Sequence, residues 1–308
     1  NNFEEYALEL FRFQAVQNSV YQEYIQLLCL NPKDVSNLHE IPFMPISFFK
    51  HRKVLTGNPD VEMVFQSSGT TGQAPSKHFV ADLSVYRKSL GLGFGRFFNK
   101  NRFAFLALLP SYLERNNASL VYMARQLIGK SGHELSGFYL DDYEKLIAHI
   151  ERIRTSGTPV VLLGVTFALL ELARGFSPDL NGVTVIETGG MKGHGREMPR
   201  QELHEVLKGG LNIDVVFSEY GMTELLSQAY AGGDGWFCPP PWMKIMLRDP
   251  RDPFDIFLEG SGEINIIDMA NIHSCAFIAT DDLGRLKPDG RFQVVGRSDS
   301  SELRGCNL

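Results

Sequence analysis

The sequence predicts an α/β fold in which mixed sheets are flanked by helices. Short apolar segments typical of buried strands alternate along the chain with segments whose apolar residues recur at helical spacing. The strand-like segments end in polar or glycine-rich turns, which is where open α/β sheets bind ligands. With 308 residues, 44% of them hydrophobic, the chain can form a core of this size.

The pattern in the N-terminal part of the sequence predicts a helical segment followed by an extended segment. Residues 1–31 are expected to form a helical opening segment, because apolar residues recur at roughly helical spacing until Asn31-Pro32 ends the pattern. Residues 41–45 contain two prolines and are expected to be extended, leading to a strand over 62–66.

The pattern in the rest of the sequence predicts alternating strands and helices, followed by a group of antiparallel strands. The alternating elements are strand 102–109, helix 119–128, helix 141–154, strand 160–163, helix 166–173, strand 183–186 and strand 214–217. Asp141 and Glu144 have the spacing of a capping box at the start of one of these helices. The later strands are 263–267, 274–278 and 291–295.

Charge and composition argue against several classes of partner. The chain has 30 basic and 36 acidic residues, a net charge of -6, and no long block of either sign, so we expect neither a nucleic acid nor a membrane partner. No apolar run approaches the roughly 20 residues of a membrane helix, and no secretory signal is evident, which predicts a cytoplasmic protein. The four cysteines form no CxxC pair and are expected to be reduced.

The first motif that carries chemistry is a loop of hydroxyl and glycine residues that follows the predicted strand 62–66. Glycines allow backbone amides to approach phosphate oxygens, hydroxyls donate further hydrogen bonds, and Lys77 adds a positive charge. A flexible surface turn is the alternative interpretation. The loop consists of Ser67, Ser68, Gly69, Thr70, Thr71 and Gly72.

Two further motifs follow the predicted strands 214–217 and 183–186. In the first, Tyr220 could stack on a base, Thr223 could bond a phosphate oxygen, and Glu224 could hold Mg²⁺. An ordinary turn with a glutamate at a helix N-terminus is the alternative. The second motif is Thr188-Gly189-Gly190-Met191-Lys192, whose glycines could let a flat ring lie along the backbone.

The last pair of motifs lies near the C-terminal end of the chain. Thr280-Asp281-Asp282-Leu283-Gly284 could direct a carboxylate at a ribose diol, and Gly296-Arg297 could supply a guanidinium nearby. Taken singly, each of these segments is most simply a turn.

The serial order of these motifs resembles that of the adenylate-forming superfamily of acyl-CoA synthetases, luciferases and peptide synthetase adenylation domains. The resemblance spans residues 64–305. It implies a large N-terminal-type adenylate-forming domain over 1–289, a terminal strand, hinge-like motif and tail over 290–308, and a C-terminal domain that is absent or very reduced. It also implies ATP and Mg²⁺ as cofactors. Asp281 departs from the pattern, which has glycine there, and the adenylation lysine is unassigned.

The resemblance implies a role for each matching residue. Lys77, Thr223 and Glu224 would be catalytic, with Glu224 as the metal ligand. The residues that would bind the nucleotide are Ser67, Ser68, Gly69, Thr70, Thr71, Gly72, Gly189, Gly190, Met191, Tyr220, Gly221, Asp282 and Arg297.

Within the superfamily, residues 109–115, 187–193 and 302–306 are most similar to the acyl-protein synthetase branch, a component of bacterial luciferase fatty-acid reductase. This similarity implies that a fatty or aromatic carboxylic acid becomes an acyl adenylate and then acylates Cys306, with an acyl-accepting protein or acyl reductase as partner. An acyl- or aryl-CoA ligase of the phenylacetate-CoA ligase type is one alternative. A non-catalytic nucleotide-binding partner of an acyl reductase is the other.

Overall fold

The computed structural model describes residues 2–67, 74–99, 102–110, 117–189 and 198–298. The chain divides into two compact units. Unit 1 comprises the chain up to Leu90, the short segment Met222–Ser227 and the chain from Cys238 onward. Unit 2 comprises Gly91–Gly221 and Gln228–Phe237. Both units are α/β, as the sequence predicts, while the predicted boundary near residue 289 stays a prediction.

Unit 1 is built on an antiparallel sheet. Its elements are helices α1 (Phe3–Gln17), α2 (Ser19–Leu27) and α3 (Phe48–His51), strands β1 (Met44–Pro45), β2 (Met63–Gln66) and β3 (Lys77–Val80), and strands β11 (Met243–Arg248), β12 (Ile256–Phe257), β13 (Gly260–Asp268), β14 (Phe277–Leu286) and β15 (Phe292–Arg297). The sheet order is β12-β11-β13-β14-β15, with β1 parallel to the first part of β14. Strands β2 and β3 form a separate antiparallel pair.

Unit 2 is built on a parallel sheet flanked by helices. Its elements are strands β4 (Ala104–Leu108), β5 (Gly137–Tyr139), β6 (Val160–Val165), β7 (Thr184–Thr188), β8 (Val216–Tyr220) and β9 (Ala229–Ala231), and helices α5 (Ser119–Ser131), α6 (Tyr143–Thr155), α7 (Thr166–Glu171) and α8 (Arg200–Leu211). The order is β9-β8-β7-β6-β4-β5, and only the β8/β9 pair is antiparallel. Strands β4 and β6 are buried throughout, as central parallel strands usually are. Helix α4 (Leu83–Phe98) and strand β10 (Phe237–Cys238) each contain residues of both units.

The predicted helical opening segment consists of two helices that meet at Asn18. The buried Asn18 side chain accepts a hydrogen bond from the backbone amide of Tyr21 and so caps α2. Its amide nitrogen donates to Thr56 Oγ1 and to the carbonyl oxygen of Ser274. These hydrogen bonds to residues distant in sequence hold the chain at the break between the two helices. The spacing of apolar residues alone does not reveal this break.

Three local predictions are wrong in detail. The cap of α6 is Asp142, which accepts from the Lys145 amide, rather than Asp141. Strand β8 continues through Tyr220, because pairing with β9 extends it, so Tyr220 ends a strand rather than following one. The segment around Asp282 is not a turn, since pairing with β15 continues β14 through it.

Among the described residues, no helix is both long and apolar enough to span a bilayer.

Candidate active site

The predicted site residues that the structure describes fall into one group in each unit. Unit 1 contains Ser67, Lys77, Thr223, Glu224, Asp282 and Arg297, and unit 2 contains Gly189, Tyr220 and Gly221. The other predicted residues, namely Ser68, Gly69, Thr70, Thr71, Gly72, Gly190, Met191 and Cys306, lie outside the described residues. Each group is described by itself.

Glu224 is a buried carboxylate in unit 1, with only 5% of its surface exposed. Burial raises its pKa, while a hydrogen bond from Ser76 and the positive charges of Lys50 and Arg297 act in the opposite direction. The backbone carbonyl of Glu224 accepts a hydrogen bond of 2.9 Å from the Asn271 side chain. A desolvated carboxylate oxygen is a ligand that fits Mg²⁺, because the cation would offset the cost of burying the charge.

Thr223 is held through its backbone by His78, which directly follows Lys77. The Nδ1 atom of His78 lies 2.8 Å from the carbonyl oxygen of Thr223. Burial lowers the pKa of His78 to about 4, so the ring is neutral and Nδ1–H is the donor. The sequence assigned no chemical role to His78, and the structure shows it positioning the Thr223 main chain.

The segment that follows Glu224 is fixed by another buried carboxylate. Asp268 Oδ2 accepts from the backbone amide of Leu226 at 3.0 Å, and Asp268 Oδ1 accepts from the Ser227 hydroxyl at 2.6 Å. Asp268 and Asn271 were not identified from the sequence, because each lies more than 40 residues away from the segment that it holds.

Ser67 and Ser76 lie opposite each other where strands β2 and β3 end. The Ser67 amide donates to the Ser76 carbonyl oxygen at 3.1 Å, and the Ser76 amide donates to Ser67 Oγ at 2.9 Å. The Ser67 hydroxyl oxygen therefore has a structural role at the base of the hydroxyl-rich loop. Lys77 pairs with Gln66 on the adjacent strand, and its side chain is exposed.

Asp282 and Arg297 are directly paired across strands β14 and β15. Arg297 Nε lies 3.6 Å from Asp282 Oδ1, with the Arg297 side chain 82% exposed and the Asp282 side chain 14% exposed. The sequence predicted that these two residues act together, and the structure brings them together. A carboxylate that is only partly covered can accept hydrogen bonds from a diol.

In unit 2, the predicted residues lie at the carboxyl ends of the neighbouring parallel strands β7 and β8. Gly189 follows β7, and Tyr220 ends β8 with its ring 5.7 Å from the ring of Phe237. Gly221 is surrounded closely: a Cβ atom at this position would collide with the Glu219 carboxylate and meet Gln228 Cγ at 3.4 Å. Only glycine fits this position without movement of its neighbours.

Glu219 is a buried carboxyl that sequence reasoning missed. Burial raises its pKa to about 7, and the charge of Glu187 adds to this effect, while a hydrogen bond with Thr188 opposes it. Thr188 Oγ1 lies 2.5 Å from Glu219 Oε2. The alternation of side chains along a strand could have indicated that Glu219 and Tyr220 point to opposite faces of the sheet.

Glu187 lies on β7 and is surrounded by donors from α8 and β8. Arg200 Nε is 3.5 Å and His204 Nε2 is 3.8 Å from Glu187 Oε1, and His204 Nε2 also lies 3.2 Å from Ser218 Oγ. Burial would raise the pKa of Glu187, but the hydrogen bonds from His204 and Ser218 and the charge of Arg200 outweigh it, so the pKa is lowered. Glu187 therefore stays ionised at a lower pH than Glu219, which lies in the same unit.

Comparison with known proteins assigns the chain to a family. The whole chain, residues 1–308, matches the family described as acyl-protein synthetase, LuxE. The chain belongs to the LuxE acyl-protein synthetase family. A curated relative, the long-chain-fatty-acid–luciferin-component ligase of Aliivibrio fischeri, is 25% identical over 97% of this chain and 85% of its own length.

Solved structures show the same fold at low sequence identity. A 2-hydroxyisobutyryl-CoA ligase in complex with 2-HIB-AMP and CoA has a TM-score of 0.71 at 10% identity, covering 96% of this chain and 69% of its own. An ATP-bound RpMatB-BxBclM chimera has a TM-score of 0.58 at 18% identity over 78% of this chain. The chain spans about half the length of that chimera, 49%. The predicted adenylate-forming fold is thereby confirmed.

Family membership also confirms the predicted class of enzyme. The chain is an ATP-dependent acyl-protein synthetase, a ligase that activates a carboxylic acid as an acyl adenylate and transfers the acyl group. The metal, the acyl acceptor, the cellular location and the roles of individual residues stay predictions.

Proposed function

We propose that this acyl-protein synthetase activates a long-chain fatty acid with ATP and Mg²⁺, and that Cys306 carries the acyl group to a reductase. The names of the curated relatives from Aliivibrio fischeri and Vibrio harveyi support the substrate class, because both proteins are long-chain-fatty-acid–luciferin-component ligases. These names give no support to an aromatic acid as the substrate.

The observation that carries the proposal is the environment of Glu224. This carboxylate is buried, has a raised pKa and is held by Ser76, with Lys50 and Arg297 as the nearby positive charges. Such a carboxylate binds a divalent cation readily, whereas in the cation's absence it is destabilised by burial. When bound, Mg²⁺ would neutralise charge on the phosphates.

The other residues of the two groups have complementary proposed roles. Thr223, whose main chain is held by His78, would donate a hydrogen bond to a phosphate oxygen, and Lys77 would add positive charge. Asp282 would accept hydrogen bonds from the ribose hydroxyls, with Arg297 beside it. Tyr220 would provide a ring face for adenine.

The proposed reaction has two substitutions. In the first, a carboxylate oxygen of the fatty acid forms a bond to the α-phosphorus of ATP while the bond to the bridging oxygen breaks, and pyrophosphate leaves with that electron pair. In the second, the Cys306 thiolate forms a bond to the acyl carbon and AMP leaves. Positioning and charge neutralisation supply most of the rate enhancement.

Among the described cysteines, burial disfavours one as an acyl carrier and leaves two accessible. Cys275 is buried and its pKa is raised to about 12, so it is a poor nucleophile. Cys29 is exposed and Cys238 is half-buried, so both thiols are accessible. Cys29 and Cys238 are therefore the control positions for any labelling of Cys306.

The proposed substrate class is tested by pyrophosphate exchange into ATP over a series of carboxylic acids. Saturated acids of increasing chain length should give rates that rise to a maximum among the long chains, while benzoate and phenylacetate should give the rate seen without acid. A maximum with the aromatic acids would contradict the proposed substrate. Exchange that is equal with and without every acid would contradict carboxylate activation itself.

A further inference from the structure

Unit 1 contains a buried ion pair that none of the proposed chemical steps uses. Arg248 is the last residue of β11, and its Nη2 atom lies 2.5 Å from Oε2 of Glu263 on β13. The two residues are 8% and 7% exposed, respectively. Burial lowers the pKa of Arg248, although the charge of Glu263 acts against this. Because desolvation offsets most of the Coulomb attraction in such a pair, stability alone is a weak explanation for it.

The guanidinium group joins β11 to two further strands. Nη1 of Arg248 donates to Asn265 Oδ1 at 2.6 Å and to the carbonyl oxygen of Ile264 at 3.2 Å. Nη2 donates to the carbonyl oxygen of Thr280 on β14 at 2.6 Å. The pairing of β13 with β14 is irregular between Glu263 and Asn265, so the guanidinium group is bound where the register changes.

Thr280 connects this network to Asp282. Its hydroxyl donates to the carbonyl oxygen of Ile264 at 2.8 Å and accepts from the backbone amide of Asp282 at 3.2 Å. On the other side of Asp282, Gly284 allows close packing, because a Cβ there would lie 2.6 Å from both Gln293 O and Ile264 Cδ1. Strand irregularities of this kind redirect side chains next to functional sites.

We propose that Arg248 and Thr280 are positioning residues that fix the backbone of Asp282 so that its carboxylate meets the ribose hydroxyls of ATP. This inference rests on the ribose role given to Asp282 under the proposed function. The buried guanidinium sets the position of the Thr280 carbonyl, and the Thr280 hydroxyl then sets the Asp282 amide. Because the pairing is irregular on both flanks, these two bonds add to the ladder pairing with Arg297 in setting the orientation of Asp282.

The test compares equilibrium binding of ATP and 2′,3′-dideoxyATP by calorimetry, with Mg²⁺ and without carboxylic acid. The wild type should prefer ATP by roughly tenfold or more, the value of a hydrogen bond to a charged group. Asp282→Ala should bind the two nucleotides equally. Thr280→Val, which keeps the shape and removes the hydroxyl, should reduce the preference to about threefold or less, while Thr280→Ser should retain it.

The outcomes separate the inference from the function on which it rests. If Asp282→Ala keeps the wild-type preference, the ribose role is wrong and the inference is overturned with it. If Asp282→Ala loses the preference and folded Thr280→Val keeps it, the positioning role alone is overturned. If Thr280→Val does not fold, Arg248→Lys decides in the same way, since one ammonium group cannot replace both guanidinium nitrogens.

Discussion

At the scale of single residues, Glu224 gives the sharpest prediction, because its substitution should lower activity without lowering stability. Glu224→Gln should reduce pyrophosphate exchange by about 100-fold or more, since the metal ligand is lost. At pH 8 the same variant should unfold at a temperature no lower than the wild type, because it removes a carboxylate whose pKa burial raises.

Glu205→Gln is the matched control for Glu224→Gln, since Glu205 is exposed on α8 and pairs only with Lys208 among the ion pairs of the described residues. It should change neither quantity. Mg²⁺ with a non-hydrolysable ATP analogue should raise the melting temperature of the wild type and not that of Glu224→Gln. An equal increase in both proteins would show that the metal binds elsewhere.

The second prediction concerns His78 and the pH dependence of stability. The pKa of His78 is about 4 in the folded protein, against about 6.5 in an unfolded chain. The unfolded state therefore binds more protons between these values, so the free energy of unfolding should fall as the pH falls from about 6.5 to about 4. The loss corresponds to roughly 3 kcal/mol.

His78→Asn isolates this contribution, because an asparagine amide can still donate to the Thr223 carbonyl but does not titrate. The difference in unfolding free energy between wild type and variant should be constant above pH 7 and should change through the acid range. Urea unfolding at several pH values measures it. A difference that stays constant down to pH 4 would mean that His78 is not buried as a neutral ring.

At the scale of elements, the strand end at Gly221 gives the third prediction. Gly221→Ala places a methyl group against the Glu219 carboxyl and Gln228, so it should cost about 1–3 kcal/mol of stability through overpacking. Gly232→Ala is the control, because a Cβ atom at Gly232 meets nothing within 4 Å. Thermal unfolding of the two variants should separate them, and equal melting temperatures would contradict the described packing of β8.

Elements were predictable from sequence where local patterns determine them. Strands β4 and β6 and helix α6 were identified from apolar runs and helical spacing, with errors of a few residues at their ends. Helix α4 was missed because it contains Gly91, Gly93 and Gly95, which local propensity disfavours in helices. The extensions of β8 and β14 were missed for another reason, since pairing with partners distant in sequence continues these strands.

The same distinction applies to the candidate site: local motifs in the sequence predict some of its residues, whereas contacts between residues distant in sequence determine the others. The order of motifs in the sequence predicts Thr223, Glu224, Asp282 and Arg297 as site residues, and their roles stay predictions. The residues that hold them were not predicted, because Asn271, Asp268 and Arg248 contact these segments across long sequence separations. Glu219 is an intermediate case: it lies inside a motif, but its raised pKa depends on burial that only the packed sheet creates.

At the scale of the whole molecule, the fourth prediction is that acyl transfer uses Cys306. After incubation with ATP, Mg²⁺ and a long-chain fatty acid, intact mass should increase by one acyl group, and neutral hydroxylamine should remove it. Cys306→Ser should not be labelled, while Cys29→Ser and Cys238→Ser should be labelled as fully as the wild type. Full labelling of Cys306→Ser, or acylation of added coenzyme A alone, would assign the acceptor elsewhere.

Isotope transfer from the fatty acid shows whether a carboxylate oxygen attacks the α-phosphorus of ATP. The fatty acid is labelled with ¹⁸O in both carboxylate oxygens, and the nucleotide and phosphate products are analysed by mass spectrometry after transfer is complete. An acyl adenylate predicts one ¹⁸O atom in AMP and none in pyrophosphate. Label in inorganic phosphate together with formation of ADP would contradict adenylate formation, because it would show attack at the γ-phosphorus and an acyl phosphate intermediate.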